Sequence, residues 1–131
     1  MLIPSRWIAA IVAAGALTCV AAQAQDPVSR KELKRGDLTG TNMEVVISVS
    51  ETKPGEMSAR HIHHGEEAFY VLEGATAELP DGKQISLATG AASINVREVA
   101  HAGFKIVGDK TLKLLTVHIV DKGKPLYDNP K

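Results

Sequence analysis

Short runs of β-branched residues, each closed by a turn signal, constrain this chain more than any other feature. Met43 to Glu51 reads Met-Glu-Val-Val-Ile-Ser-Val-Ser-Glu and stops at Lys53-Pro54-Gly55. Branched side chains pack well on a pleated surface, and a Pro-Gly pair ends the strand. Met57 to His63 and Ala68 to Leu72 are the next two predicted strands. Ala75 to Leu79 and Gln84 to Leu87 flank Pro80-Asp81-Gly82-Lys83, whose Asp-Gly pair is a hairpin signal. Ala92 to Val96, His101 to Val107 and Leu112 to Val120 follow, with Gly108-Asp109-Lys110 turning the chain between the last two. Gln25 to Ser29 reads as a loose leader. Turn signals recur about every 8–12 residues, and no stretch has the length and period of an amphipathic helix. The expected fold is all-β, a barrel or jelly roll, and the mouth of such a barrel is a natural ligand site.

Within this rhythm, His61-Ile62-His63-His64-Gly65-Glu66-Glu67 carries the chemistry. Side chains alternate faces on a strand, so His61 and His63 point the same way, about 7 Å apart along it. Both imidazoles can converge on one ion, whereas a helix would need them four residues apart. A carboxylate from the next strand adds a third donor, and a nitrogen–oxygen set suits a divalent transition metal. Spacing favours Glu67 over Glu66 for that role. A fourth donor must come from elsewhere, and His101, behind Gly90 and Val-Arg-Glu-Val-Ala, is the natural candidate. The expected metal ligands are His61, His63, Glu67 and His101, with Glu67 also the expected proton acceptor. His64 should face the opposite way.

Composition narrows what the site can contain. Trp7 to Val20 is mostly apolar and Ala22-Gln23-Ala24 has the small-x-small pattern of a signal-peptidase site, so residues 1–24 read as a signal peptide. The apolar run falls short of the about 20 residues that span a bilayer. A lipoprotein signal at Cys19 is the rival reading, although Ala16-Leu17-Thr18 matches its usual pattern poorly. Removing 24 of the 131 residues leaves 107, the expected single domain 25–131, exported to the periplasm or secreted. The only cysteine leaves with the signal, so the mature chain has no disulfide and no thiolate ligand. Lys+Arg and Asp+Glu both number 15, and this balance offers no basic surplus for nucleic acid or an acidic membrane.

The chain resembles the cupin superfamily. The family's first motif is glycine, five residues, His-x-His, three or four residues, glutamate, six residues, glycine. Gly55, His61-Ile62-His63, Glu67 and Gly74 match every fixed position. The second motif is glycine, five residues, Pro-x-Gly, two residues, histidine, three residues, asparagine. Gly90 and His101 keep that spacing, while Val96, Glu98 and Lys105 stand where proline, glycine and asparagine are expected. The turn before His101 is therefore expected to differ in shape. The resemblance implies a cupin-type barrel (a double-stranded β-helix) with one iron, manganese, nickel, copper or zinc ion held by His61, His63, Glu67 and His101. Family activities span dioxygenation, decarboxylation, isomerisation, lyase chemistry and plain ligand binding. Fold analogy does not choose among them.

The expected function is that of an exported, mononuclear metal-dependent enzyme acting on a small organic molecule, with a dioxygenase as the leading reading. A noncatalytic metal or small-ligand binding protein of the cell envelope is the alternative. No stable membrane insertion is expected after signal cleavage, and pairing into a homodimer stays open. His118 could be a packed histidine or line the pocket, since both parities of its strand are largely apolar. Met57, Ala59, Phe69 and Val71 share parity with the ligands and could wall the cavity. Arg60 and Arg97 fit an outward charged face better than a substrate carboxylate site, and Glu73 and Glu78 read as solvated.

Overall fold

The computed structural model describes residues 29–131. The expected signal peptide, Cys19 and most of the Gln25 to Ser29 leader lie outside the described residues. Nine strands run in order, with no helix among the described residues: β1 (Ser29–Asp37), β2 (Met43–Thr52), β3 (Met57–Ser58), β4 (Gly65–Glu73), β5 (Ala75–Glu78), β6 (Gln84–Leu87), β7 (Ala92–Asn95), β8 (Phe104–Val107) and β9 (Leu112–Asp121). They form two antiparallel sheets, ordered β1-β2-β9-β4-β7 and β3-β8-β5-β6. Pairing of β9 with β2 and β4, and of β8 with β5 and β3, gives the crossovers of a jelly roll.

Register decides which side chains meet inside. Across the larger sheet, Val46, His118, Glu67 and Asn95 form one inward row. Ser48, Thr116 and Phe69 form the next, and Ser50, Leu114 and Val71 the one after. The rows turn from polar to apolar along the strands. Val71 and Leu112 pack with Ala75, Ala77 and Ile106 into the buried core. Glu67 lies four residues from Val71, about 13 Å along β4. Hydrophobic burial therefore anchors one end of the barrel, while the histidines occupy the other.

Three elements differ from the sequence reading. The charged run Ser-Arg-Lys-Glu-Leu-Lys-Arg-Gly-Asp forms β1, an exposed edge strand on β2, where no strand was expected beyond the leader. An edge strand needs no hydrophobic alternation and is protected from aggregation by charge, which hides it from pattern. The predicted strand from Met57 to His63 shortens to two residues, after which His61 and Ile62 make isolated bridges to His101 and Asp128. Ser58 and His61 are both buried, so alternation breaks at Ala59-Arg60 and Met57 and Ala59 are exposed rather than cavity-lining. The predicted strand His101 to Val107 likewise starts only at Phe104, behind Ala102 and Gly103 at φ of 60° and 81°.

Two glycines let the sheets close. A Cβ on Gly65 would lie 2.0 Å from the Ile119 carbonyl oxygen, and one on Gly74 would lie 2.5 Å from that of Leu87. Gly74 is where the chain passes from β4 in one sheet to β5 in the other. Gly65→Ala should destabilise the protein by about 3 kcal/mol or more, because backbone rather than a flexible side chain must move. Gly36→Ala, with no heavy atom within 4 Å of the added carbon, should stay within about 0.5 kcal/mol of the parent. Chemical denaturation of both variants checks this; equal stabilities would contradict the close approach of β4 and β9.

Candidate metal centre

Four donors from separate parts of the chain meet at the polar end of the barrel. His61 and His63 come from the bridge segment after β3, Glu67 from β4 and His101 from the segment before β8. Their ligating atoms all lie within 4.8 Å of one another. Backbone pairing sets much of this geometry: His61 N–H donates to the His101 carbonyl at 3.1 Å, and His101 N–H donates back at 3.0 Å. The two rings then stand 4.4 Å apart, with the His63 ring 4.7 Å from His61 and 4.8 Å from His101.

Each of the three imidazoles is oriented by its other nitrogen. Nδ1 of His61 lies 2.7 Å from the Ala59 carbonyl, Nδ1 of His63 lies 2.6 Å from that of Leu126, and Nδ1 of His101 lies 2.9 Å from that of Val99. A carbonyl only accepts, so each Nδ1 carries the proton and each Nε2 presents its lone pair to the cluster. This outer support is what holds a metal-ligating histidine in one tautomer and one orientation. His101 Nε2 is buried without a hydrogen-bond partner, and His63 Nε2 faces Glu67 Oε2 at 3.1 Å. Lone pairs aimed at one another and at a carboxylate call for a cation among them. The donor set fits a divalent transition metal.

Glu67 is held by the register of its own sheet. Its cross-strand neighbours are Asn95 on β7 and His118 on β9. Asn95 Nδ2 donates to Glu67 Oε2 at 2.7 Å, and His118 Nε2 lies 3.4 Å from Oε1. Asn95 was not foreseen from sequence, because its partnership with Glu67 exists only once β4 and β7 are in register. His118 is fully buried beside Glu67 and is not among the residues lining the cavity. Tyr127, in the C-terminal segment, is also buried and stands edge-on to His61 at 4.7 Å and to His63 at 5.0 Å.

Other candidates sit outside the cluster. His64 points away, as alternation requires, and its two nitrogens face Glu98 at 2.7 Å and Asp128 at 3.0 Å. Glu98 has a φ of 59°. It stands where the family motif has glycine and takes the left-handed conformation that glycine adopts at least cost. The turn keeps a glycine-like conformation, with the His64 contact helping to fix it, and His101 reaches the cluster. Arg97 forms a two-pronged pair with Asp121 at 2.8 and 3.0 Å, and Arg60 is exposed; neither lines the cavity. Glu66 and Glu73 are exposed and Glu78 is half-buried.

A cavity of about 160 Å³ opens beside the cluster, touching His61, Glu67 and His101. Phe69 and Val71 line it, in keeping with their parity. Burial holds His61 and His118 neutral, pushing each pKa down to about 4 against weaker upward pulls from the Ala59 carbonyl and Glu67, respectively. At Glu67 burial opposes ionisation, yet His101 and His63 beside it hold its carboxyl well below the usual carboxylate range. His101 is also opposed by burial, and the Glu67 carboxylate raises it above the ordinary histidine value. Glu98 is the main cause of a raised value at His64, burial opposing and Asp128 adding.

These shifts have opposite consequences for stability. Histidine in an unfolded chain titrates near about 6.5. Between there and about 4, the unfolded chain holds protons that folded His61 and His118 refuse. The metal-free protein should lose stability as pH falls through that window, by up to about 1.4 kcal/mol per pH unit for each histidine. His101 and His64 work the other way: their contribution is full below the unfolded value and is lost as pH rises through their folded values. Urea denaturation from about pH 7 to about pH 4.5 should show the acid loss, and His118→Phe should make it shallower. A flat profile would contradict the buried neutral histidines.

No curated protein matches the chain by sequence. Among solved structures, it is similar to an uncharacterised protein with a double-stranded β-helix domain from Klebsiella pneumoniae, with 22% identity, 79% of this chain and 85% of that chain covered, and a TM-score of 0.57. A cupin 2 conserved barrel domain protein from Rhodopseudomonas palustris has 17% identity, 87% and 73% coverage and a TM-score of 0.53. The polyketide cyclase RemF from Streptomyces resistomycificus has 29% identity and a TM-score of 0.50; 69% of this chain matches 62% of that one. The family model described as the cupin domain matches residues 48–118, more than half of the sequence. This chain belongs to the cupin family.

Proposed function

We propose that the protein is an exported, mononuclear metal-dependent enzyme, an oxygenase acting on a small organic molecule held in the barrel cavity. The observation that carries this reading is the convergence of His61, His63, Glu67 and His101 at one end of that cavity. Three neutral imidazoles and one carboxylate leave a bound divalent ion with net positive charge, and four protein donors leave room for substrate and dioxygen. When bound, the ion would act as a Lewis acid and electron conduit toward an enol, carboxylate or carbonyl group. The chain's own part is to orient, to exclude water and to move protons. His61, Glu67, His101 and Tyr127 are the ionisable residues lining the cavity. Glu67 is the group placed to accept a substrate proton, with Asn95 keeping its carboxylate turned inward.

Similarity to a polyketide cyclase supports catalysis on a small organic molecule, although cyclisation is a different reaction from oxygenation. The second reading is a noncatalytic ligand-binding cupin, favoured by a cavity wall on which the described residues offer no carboxylate, histidine or lysine beyond the cluster itself, only the Tyr127 phenol. Turnover separates the two. Iron(II)-loaded protein offered small enols and phenols should consume dioxygen, and His63→Ala should lose both the metal and the uptake. A ligand bound and released unchanged, with no dioxygen consumed, would favour the binding protein. Export predicts that the native N-terminus is Gln25 in an envelope or secreted fraction; an intact Met1 in the cytoplasm would remove that part of the proposal.

A further inference from the structure

The cavity has two unlike walls, and their difference specifies a ligand. On the inner face of the larger sheet, Ser50 and Thr52 of β2 stand opposite Leu114 and Leu112 of β9, and Leu114 stands opposite Val71 of β4. All five line the cavity. From β2 to β4 is two strand spacings, about 10 Å, so one small molecule touches both sides. Ser58 of β3 adds a third buried hydroxyl residue to the lining, while Phe69 and Phe104 extend the apolar surface. No lysine, arginine or aspartate is among the lining residues. Arg97 is committed to Asp121 and Arg30 to Ser48 Oγ at 3.0 Å, while Arg60, next to His61, is exposed and outside the lining.

We infer that the site takes a compact, non-cationic organic molecule of at most about ten heavy atoms, apolar along one flank and carrying a hydroxyl or carbonyl group on the other. The size follows from the volume: a cavity of about 150 Å³ accommodates benzene, and this one is about 160 Å³. The polarity follows from the walls. Serine and threonine hydroxyls donate or accept without a fixed charge, and an apolar ligand would leave buried ones unpaired. A cationic ligand would lose its hydration and meet only Glu67, whose charge already faces His63 and His101. The inference rests on the metal-site reading for what anchors the near end of the ligand, and on the walls alone for the rest.

Three probes built on one benzene ring test it: toluene, benzyl alcohol and benzylammonium, with 1-naphthalenemethanol as the oversized control. Calorimetric titration of the metal-loaded protein should give benzyl alcohol at least about fivefold tighter binding than toluene, and about tenfold or more over benzylammonium and the naphthalene. Thr52→Val, which keeps shape and removes the hydroxyl, should shrink the benzyl alcohol advantage severalfold and leave toluene unchanged. Leu114→Trp should abolish binding of all four. Metal content is measured in every sample. One ion per chain with equal affinity for neutral and cationic probes, or a Thr52→Val protein indistinguishable from the parent, overturns the ligand inference and leaves the metal site standing. No bound ion, with benzyl alcohol still preferred, overturns the metal reading and supports the ligand inference.

Discussion

Three ring N–H groups tied to three backbone carbonyls hold the site together. Ala59, Leu126 and Val99 each accept from one Nδ1, and the consequence is three Nε2 lone pairs turned on one small volume. Such an arrangement is electrostatically costly unless a cation sits within it. Burial makes protons poor candidates at His61, where the pKa falls to about 4. Glu67 supplies the compensating negative charge and is kept ionised by the histidines around it. The cluster is therefore preformed and compatible with a cation, with one negative charge among its four donors, and much of the surrounding structure serves to keep it so.

The carbonyls that orient the rings belong to three irregular segments, and each is secured separately. The segment of Ala59 is fastened to the second sheet through Gly103 N–H donating to the Ser58 carbonyl at 2.8 Å. Val99 lies in the turn that Glu98 enters with a left-handed backbone and that its amide ties to the His63 carbonyl. Leu126 lies in the C-terminal segment, joined to Ile62 by two backbone hydrogen bonds through Asp128. His64 binds both Glu98 and Asp128, so the residue beside a candidate ligand clasps two of these segments together. Tyr127 then covers the rings from the same segment. A site that looks local in sequence depends on contacts spread from residue 58 to residue 128.

The all-β fold was legible because most strands bury one face and announce it by alternation and turn residues. β1 was not, since its charged residues other than Arg30 face solvent on an edge and its strand character comes from pairing with β2. His61, His63 and Glu67 were legible as a set because their spacing is local, and the structure brings them together with His101. The route differs from the expected one: a bridge and a break in alternation replace a continuous strand at Ala59-Arg60, which is why Met57 and Ala59 do not wall the cavity. Asn95 and Tyr127 were invisible because nothing within a short window of sequence relates them to Glu67 or the histidines. Register and the path of the C-terminal segment do that, and both are properties of the whole fold. The glycine-to-glutamate departure at Glu98 shows the converse, a motif position altered while its backbone conformation is kept.

The central claim is that four particular side chains hold one ion. An anomalous-scattering map of crystals of protein isolated from its native compartment, collected on both sides of the absorption edge of the metal found by elemental analysis, tests it most directly. The account predicts one peak per chain about 2.1 Å from Nε2 of His61, His63 and His101 and from a Glu67 oxygen. A peak at His64 between Glu98 and Asp128, or stoichiometric metal with no peak within reach of His63, would contradict it.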